Sequence, residues 1–252
     1  MTARWLFALA MWSAAASSVW AQTQRHVGFL VPHDGVAAGA QSQAIPYTPR
    51  PGDLVLCDSH NKVYHFVFKL ANTEPPTHSA MVIERADGSL AMLDLMGPYA
   101  VTAKVVIVEA ENRLKTYPGD VMVRRLREPL TPEQSRELTQ FAEAQVGKRF
   151  AVWRAALQAT PFCPRSGWRR DLFGATYLNR DRWFCSELMI AAGTTCKMLD
   201  GKKCLANATY PHDMAFDKMI DLSAHYHPLM TWAPTAPAQQ FARPTFGPPQ
   251  AR

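Results

Sequence analysis

Asp87-Gly88 sits between two apolar runs, residues 79–83 and 90–95, and no other local feature constrains the fold as strongly. An Asp-Gly pair suits the left-handed corner of a tight hairpin, so the two runs are predicted to be adjacent antiparallel strands. Side chains on one face of such a pair reach each other across the ladder. His78 opens the first run and Asp94 lies near the end of the second, so the hairpin is predicted to set them side by side. Pro75 and Pro76 keep the approach to His78 extended.

Far downstream, Trp183-Phe184-Cys185-Ser186-Glu187-Leu188 reads as the entry to a helix that runs to Ala192 and closes at Gly193. A thiol is a weak nucleophile until it is deprotonated. A helix N-terminus and a neighbouring histidine both favour the thiolate. Cys185 is therefore a candidate nucleophile and His78 its candidate base. Ser186 and Glu187 fall in the first helical turn, where an acidic side chain supports the positive end of the helix; contact with substrate is the other role open to Glu187.

Around these two stretches the chain reads as α+β. Gly52-Asp53 makes a turn into a strand at Leu54-Val55-Leu56-Cys57, with Asp53 ordering the turn. Val63, Phe66, Val67 and Leu70 have the spacing of an amphipathic helix. Further strands are predicted over 105–108 and 120–126, the latter after the turn Tyr117-Pro118-Gly119-Asp120. Thr131-Pro132-Glu133-Gln134 carries a capping-box start for a helix ending near Gly147. Residues 151–182 show poor periodicity and read as a long loop or helical excursion. A last short helix is expected over 212–220.

The ends differ from this middle. Residues 1–21 combine Arg4, an apolar run and small residues up to Val19-Trp20-Ala21, which reads as a signal peptide and implies export to the periplasm or beyond. Residues 22–50 read as an exposed leader, 51–227 as one catalytic-sized domain, and 228–252 as a proline-rich tail without a core of its own. The formal charge of +6 suits peripheral contact with an anionic membrane surface; without a dense basic tract it does not point to nucleic acid.

Five cysteines in an exported chain leave one unpaired. Cys196 and Cys204 bracket a polar loop and could close a small disulfide. Cys57 and Cys163 could then bridge across the fold, leaving Cys185 free, although Cys57 reads equally well as a buried apolar thiol.

Taken in order, Gly52-Asp53-Leu54-Val55-Leu56, Thr77-His78-Ser79-Ala80-Met81-Val82, Met92-Leu93-Asp94-Leu95 and Phe184-Cys185-Ser186-Glu187-Leu188 resemble the YiiX/YebB-like permuted papain-like amidases of the NlpC/P60 superfamily. The resemblance spans residues 50–222. It implies a circularly permuted papain-like fold, with a small antiparallel sheet packed on the nucleophile helix and the histidine preceding the cysteine. It also implies roles: Cys185 as nucleophile, His78 as base, and Asp94 as the carboxylate that orients the imidazole, where many relatives carry Glu. The chemistry needs neither metal nor cofactor. His225 and His227 lie two apart, with His212-Asp213 nearby, but no third ligand has convincing spacing.

Arg165, Trp168, Arg169, Arg170, Arg180, Arg182 and Trp183 crowd the approach to Cys185. Arg182, Trp183, Arg170 and Trp168 are expected to form a substrate rim, attracting an anion and offering apolar contact. The function expected is an exported cysteine hydrolase, an amidase or peptidase working through a thioester on cell-envelope peptide. A lipid acyltransferase or thioesterase, and a non-catalytic envelope-binding protein, are the alternatives.

Overall fold

The computed structural model describes residues 26–33, 43–158, 160, 168–175 and 180–236. The expected signal peptide, Cys163, Arg165 and all but the first residues of the tail lie outside them. In chain order the elements are β1 (Phe29–Pro32), β2 (Ile45–Pro46), β3 (Leu54–Asp58), α1 (Lys62–Leu70), β4 (His78–Glu84), β5 (Leu90–Met96), β6 (Lys104–Glu109), α2 (Ala110–Thr116), β7 (Asp120–Arg124), α3 (Pro132–Gln145), β8 (Arg149–Phe150), α4 (Val152–Gln158), α5 (Trp168–Phe173), β9 (Arg182–Trp183), α6 (Cys185–Thr195), α7 (Pro211–Phe216) and β10 (Met230–Ala233). The fold is mixed α/β, and all ten strands join one sheet in the order β2-β1-β10-β7-β3-β4-β5-β6-β8-β9. Among the described residues no helix is long and apolar enough to cross a membrane.

The predicted hairpin forms. β4 and β5 pair antiparallel with Met81 opposite Leu93, and Gly88 takes a left-handed φ of +80° at the corner. Period-two alternation then sorts their side chains. Met81, Ile83, Leu93 and Leu95 join Leu54 and Leu56 in a core covered by α3 and α6. Ala80, Val82 and Met92 join Val55, Cys57 and Leu114 of α2 in a second core on the opposite face.

Helix α6 is buried over nine consecutive residues, Cys185 through Gly193, as a central helix packed on β4 must be. Burial of Leu188, Met189 and Ile190 contributes roughly 1.5–3 kcal/mol each. A charged substitution such as Ile190→Asp would therefore break this packing. Gly193 does not end the helix as expected. It lies inside it, where an added Cβ would meet Leu199 at 2.8 Å and Met198 at 2.9 Å, so its role is close packing.

The sheet is large, not small, because both chain ends enter it. Residues 22–50 are no exposed leader throughout: β1 lies between β2 and β10, and Leu30 and Tyr47 are fully buried. The start of the tail is likewise structural, since β10 pairs with both β1 and β7. Strand pairs this distant in sequence leave no local signature. The Gly52-Asp53 turn locks this region together: buried Asp53 accepts from the amides of Arg50 (3.1 Å) and Leu126 (2.9 Å) and from the Tyr47 hydroxyl (3.1 Å). Burial, opposed by those bonds, raises its carboxyl to about 6.

The expected Cys196–Cys204 disulfide is absent; both thiols are free and buried, as is Cys57. The Cys196 thiol donates to the Gly193 carbonyl at 3.5 Å, and both sulfurs belong to the apolar core around α6. Spacing permitted the bridge, but packing gave each thiol a separate place. Cys163, the expected partner of Cys57, lies outside the described residues.

Candidate functional site

His78 occupies the first position of β4. Continuing the β4–β5 register places Asp94 diagonally across from it on the same face, and His78 Nε2 lies 2.6 Å from Asp94 Oδ1. The carboxylate is fully buried and does not depend on the ring alone: Arg113 of α2 donates through Nε to its other oxygen at 2.6 Å. The Leu95 amide also donates to Oδ1 at 2.6 Å. Burial opposes the ionised carboxylate, but the charges and hydrogen bonds of His78 and Arg113 override it and hold Asp94 at about 2.

Tyr117, just past α2, stacks near-parallel to the His78 ring, 9° between planes and 6.5 Å between centroids. The Arg113 guanidinium lies 4.9 Å from the centre of the same tyrosine ring. One short helix thus supplies both the clamp on the carboxylate and the wall behind the imidazole. A cavity of about 10 Å³, lined by Cys57, Asp94, Arg113, Leu114 and Tyr117 among others, lies beneath, close to the space of a single water.

Cys185 reaches the ring from the other face, as the first residue of α6. Its thiol is buried. Burial pushes the thiol up, but the neighbouring His78, and after it Ser79, bring it below the ordinary cysteine value. The Ser79 hydroxyl is buried and makes no hydrogen bond of its own. His78 moves the opposite way: burial disfavours its cation, yet Asp94 and then Cys185 raise it to about 10. The arrangement favours a thiolate beside an imidazolium, with Asp94 on Nε2 and the other ring nitrogen left for the sulfur.

The support residues of the first turn of α6 are placed as follows. Ser186 Oγ donates to the Thr209 carbonyl at 2.6 Å. Glu187 is fully buried and takes a forked pair from Arg154, 2.8 and 2.7 Å, with Arg180 at 3.2 Å. Two arginines next to the site are therefore committed to a structural carboxylate.

The expected rim divides. Trp183 does not belong to it: it is fully buried, donates through Nε1 to Gln145 Oε1 at 3.1 Å and packs edge-on against Phe141. In β9 Arg182 points out and Trp183 in, the alternation of a strand. Arg170 is half-buried and donates to the Met219 carbonyl at 2.8 Å, a structural contact. Trp168 and Arg182 remain exposed. Among the described residues no group of three His, Cys, Asp or Glu side chains is arranged to hold a metal ion. His212 donates through Nδ1 to the Pro75 carbonyl, 2.7 Å away.

Sequence reasoning missed Arg113, Tyr117, Ser79 and Arg154. The i,i+4 pair Glu111–Lys115 and the apolar pair Ala110 and Leu114 were the available signals for α2. Cys57, read either as a partner for Cys163 or as a buried apolar thiol, is a buried free thiol directly opposite His78 in the β3–β4 register.

No family model matches the sequence, and no curated protein matches it. Among solved structures, the chain is similar to the metalloprotein YiiX from Escherichia coli O157:H7, at 19% identity and a TM-score of 0.41, over 61% of this chain and 69% of that one.

Proposed function

We propose that this protein is an exported cysteine hydrolase with a permuted papain-like arrangement, in which Cys185 attacks an amide carbonyl and His78 shuttles the proton. The observation that carries the reading is the His78 imidazole held on Nε2 by the buried Asp94 carboxylate, with the Cys185 thiol at the tip of α6 lowered below its ordinary value chiefly by that same histidine. The order and content of the motifs, which resemble the YiiX/YebB-like amidases of the NlpC/P60 superfamily, support it as well.

In the first step the Cys185 thiolate forms a bond to the carbonyl carbon and pushes its electrons onto the oxygen. The backbone N–H of Cys185 at the start of α6 is suited to receive that oxyanion. As the C–N bond breaks, the imidazolium of His78 gives its proton to the departing amine, leaving a thioester on Cys185. Water then attacks the thioester, surrenders a proton to His78, and releases the acid and the thiolate. Asp94 holds the ring tautomer throughout, and Arg113 keeps Asp94 ionised.

Peptidic cell-envelope material is the first substrate class. A lipid acyl group is the second, favoured by exposed apolar side chains on α1 and α5. Incubation with peptidoglycan fragments and, separately, with phospholipids distinguishes them by mass spectrometry. New amines from the fragments support the amidase, and released fatty acid supports the lipid reading. No product from either, with no acyl adduct on Cys185, contradicts catalysis at this site.

A further inference from the structure

Helix α1 has the amphipathic spacing of a core helix and yet contains no buried residue. Val63, Phe66, Val67 and Leu70 are 68%, 62%, 40% and 56% exposed. The helix is nonetheless fixed in place. Asn61 caps it by accepting from the amides of Val63 and Tyr64, His65 Nε2 lies 2.7 Å from Asp58 Oδ1, and Phe68 turns inward against Tyr210. An apolar stripe held outward on an anchored helix costs solubility and needs a partner.

A second apolar set lies on α4 and α5, where Trp153, Trp168, Leu172 and Phe173 are 83%, 66%, 63% and 53% exposed. Residues 206–210 tie the two sets to one end of the molecule. Tyr210 touches Phe68 of α1 and hydrogen-bonds Gln158 of α4 at 2.9 Å. Asn207 bonds the Phe173 carbonyl at the end of α5 (2.8 Å) and Arg154 of α4 (3.0 Å). Thr209 accepts from Ser186, the neighbour of Cys185, so the site belongs to this same end.

The charge accompanying these side chains selects among partners. α1 carries exposed Lys62 and Lys69 and no acidic residue, Arg169 lies beside Trp168, and the chain is basic overall at +6. Tryptophan, phenylalanine and leucine interleaved with lysine and arginine match the boundary between anionic headgroups and acyl chains. Helices of nine and six residues are too short to zip against a partner helix, whereas a lipid surface can receive both at once.

We infer that α1 and the α4–α5 cluster seat this end of the protein on an anionic lipid surface. This docking stands on the exposed faces and is independent of the proposed hydrolysis.

The test uses the full chain with vesicles of phosphatidylcholine containing phosphatidylglycerol, and with phosphatidylcholine alone. Because the apolar run near the N-terminus would itself bring the chain to vesicles, the deciding readout is local: hydrogen exchange of the vesicle-bound protein. Exchange is expected to slow over residues 62–70 and 168–173 on the anionic vesicles. Phe66→Ser/Leu70→Ser is expected to abolish that protection with unchanged Tm, since neither side chain is buried. Protection confined to other segments, or protection unaffected by the double substitution, overturns the inference. So does a dimer in solution that the same substitutions dissociate, which would give the face to a second copy. Loss of Cys185 reactivity in Cys185→Ala leaves the expected docking unchanged, so failure of the catalytic reading and failure of docking are separable.

Discussion

Cys57 and Cys185 are two buried thiols that approach one imidazole, Cys57 from the strand opposite His78 and Cys185 from the tip of α6. Burial pushes both upward. For Cys57 nothing reverses it, and the negative charge of Asp94 adds to the effect, so its thiol is driven far above the ordinary range. For Cys185 the neighbouring His78 outweighs burial, and Ser79 adds to it. Proximity to a histidine is therefore not what makes a thiolate. The cation must act on the sulfur and be held in place by a counter-charge, here Asp94 backed by Arg113.

The sharpest way to break this comparison is to remove each sulfur in turn. Cys185→Ala is expected to eliminate alkylation of the folded protein by iodoacetamide at neutral pH, and Cys57→Ala to change it by less than about twofold. Mass mapping of the alkylated site reads the outcome. Similar losses from both substitutions would erase the distinction.

Next in size are the groups behind the imidazole. Asp94→Asn frees the ring tautomer and removes the counter-charge, and is expected to slow alkylation of Cys185 about a hundredfold. Arg113→Met leaves Asp94 buried with one partner fewer and is expected to cost about 3 kcal/mol in chemical denaturation, with a smaller, roughly tenfold, loss of reactivity. A reactivity loss without a stability loss would mean that Arg113 acts on the thiol directly.

The pH dependence of stability sharpens the same contrast. Asp94 ionises at about 2 in the folded protein, below its unfolded value, so its contribution is complete above about pH 4 and is lost as pH falls through about 2. His78 is raised to about 10, so its contribution is complete below its unfolded value and is lost as pH rises through about 10. Thermal unfolding is expected to show both flanks, and Asp94→Asn is expected to flatten both together, on the order of 2 kcal/mol at the acid end. The smallest expected effect is none: with Cys196 and Cys204 free, reductant leaves Tm unchanged, whereas a bridge between them would make reduction cost about 2 kcal/mol or more.

The parts of the site that were legible in the sequence are those fixed by local chemistry. Asp87-Gly88 specified the hairpin, and the hairpin specified the meeting of His78 with Asp94. Cys185 at a helix start was visible from the apolar run that follows it. What escaped reading depends on tertiary pairing. Helix α2 is only seven residues long, and its clamp residue Arg113 looks like any surface arginine until β5 lies beneath it. β1 and β10 are four-residue strands that find each other from opposite ends of the chain. Trp183 sits among arginines in sequence and in the core in space, because a two-residue strand alternates faces too briefly to show a period. The stripe of α1 carried the opposite lesson: its periodicity was real, but amphipathic spacing alone does not say whether the apolar face meets the core or an outside surface.

The most direct test of the account is the pH dependence of Cys185 alkylation, with Cys57 followed in the same samples and His78→Ala beside the wild type. The account expects Cys185 to stay reactive well below the pKa of a free thiol, Cys57 to stay inert throughout, and His78→Ala to move the Cys185 profile upward by more than a pH unit, about tenfold or more in thiolate at neutral pH. A Cys185 profile that rises only near pH 8.5 like a free cysteine, and is unmoved by His78→Ala, would contradict it.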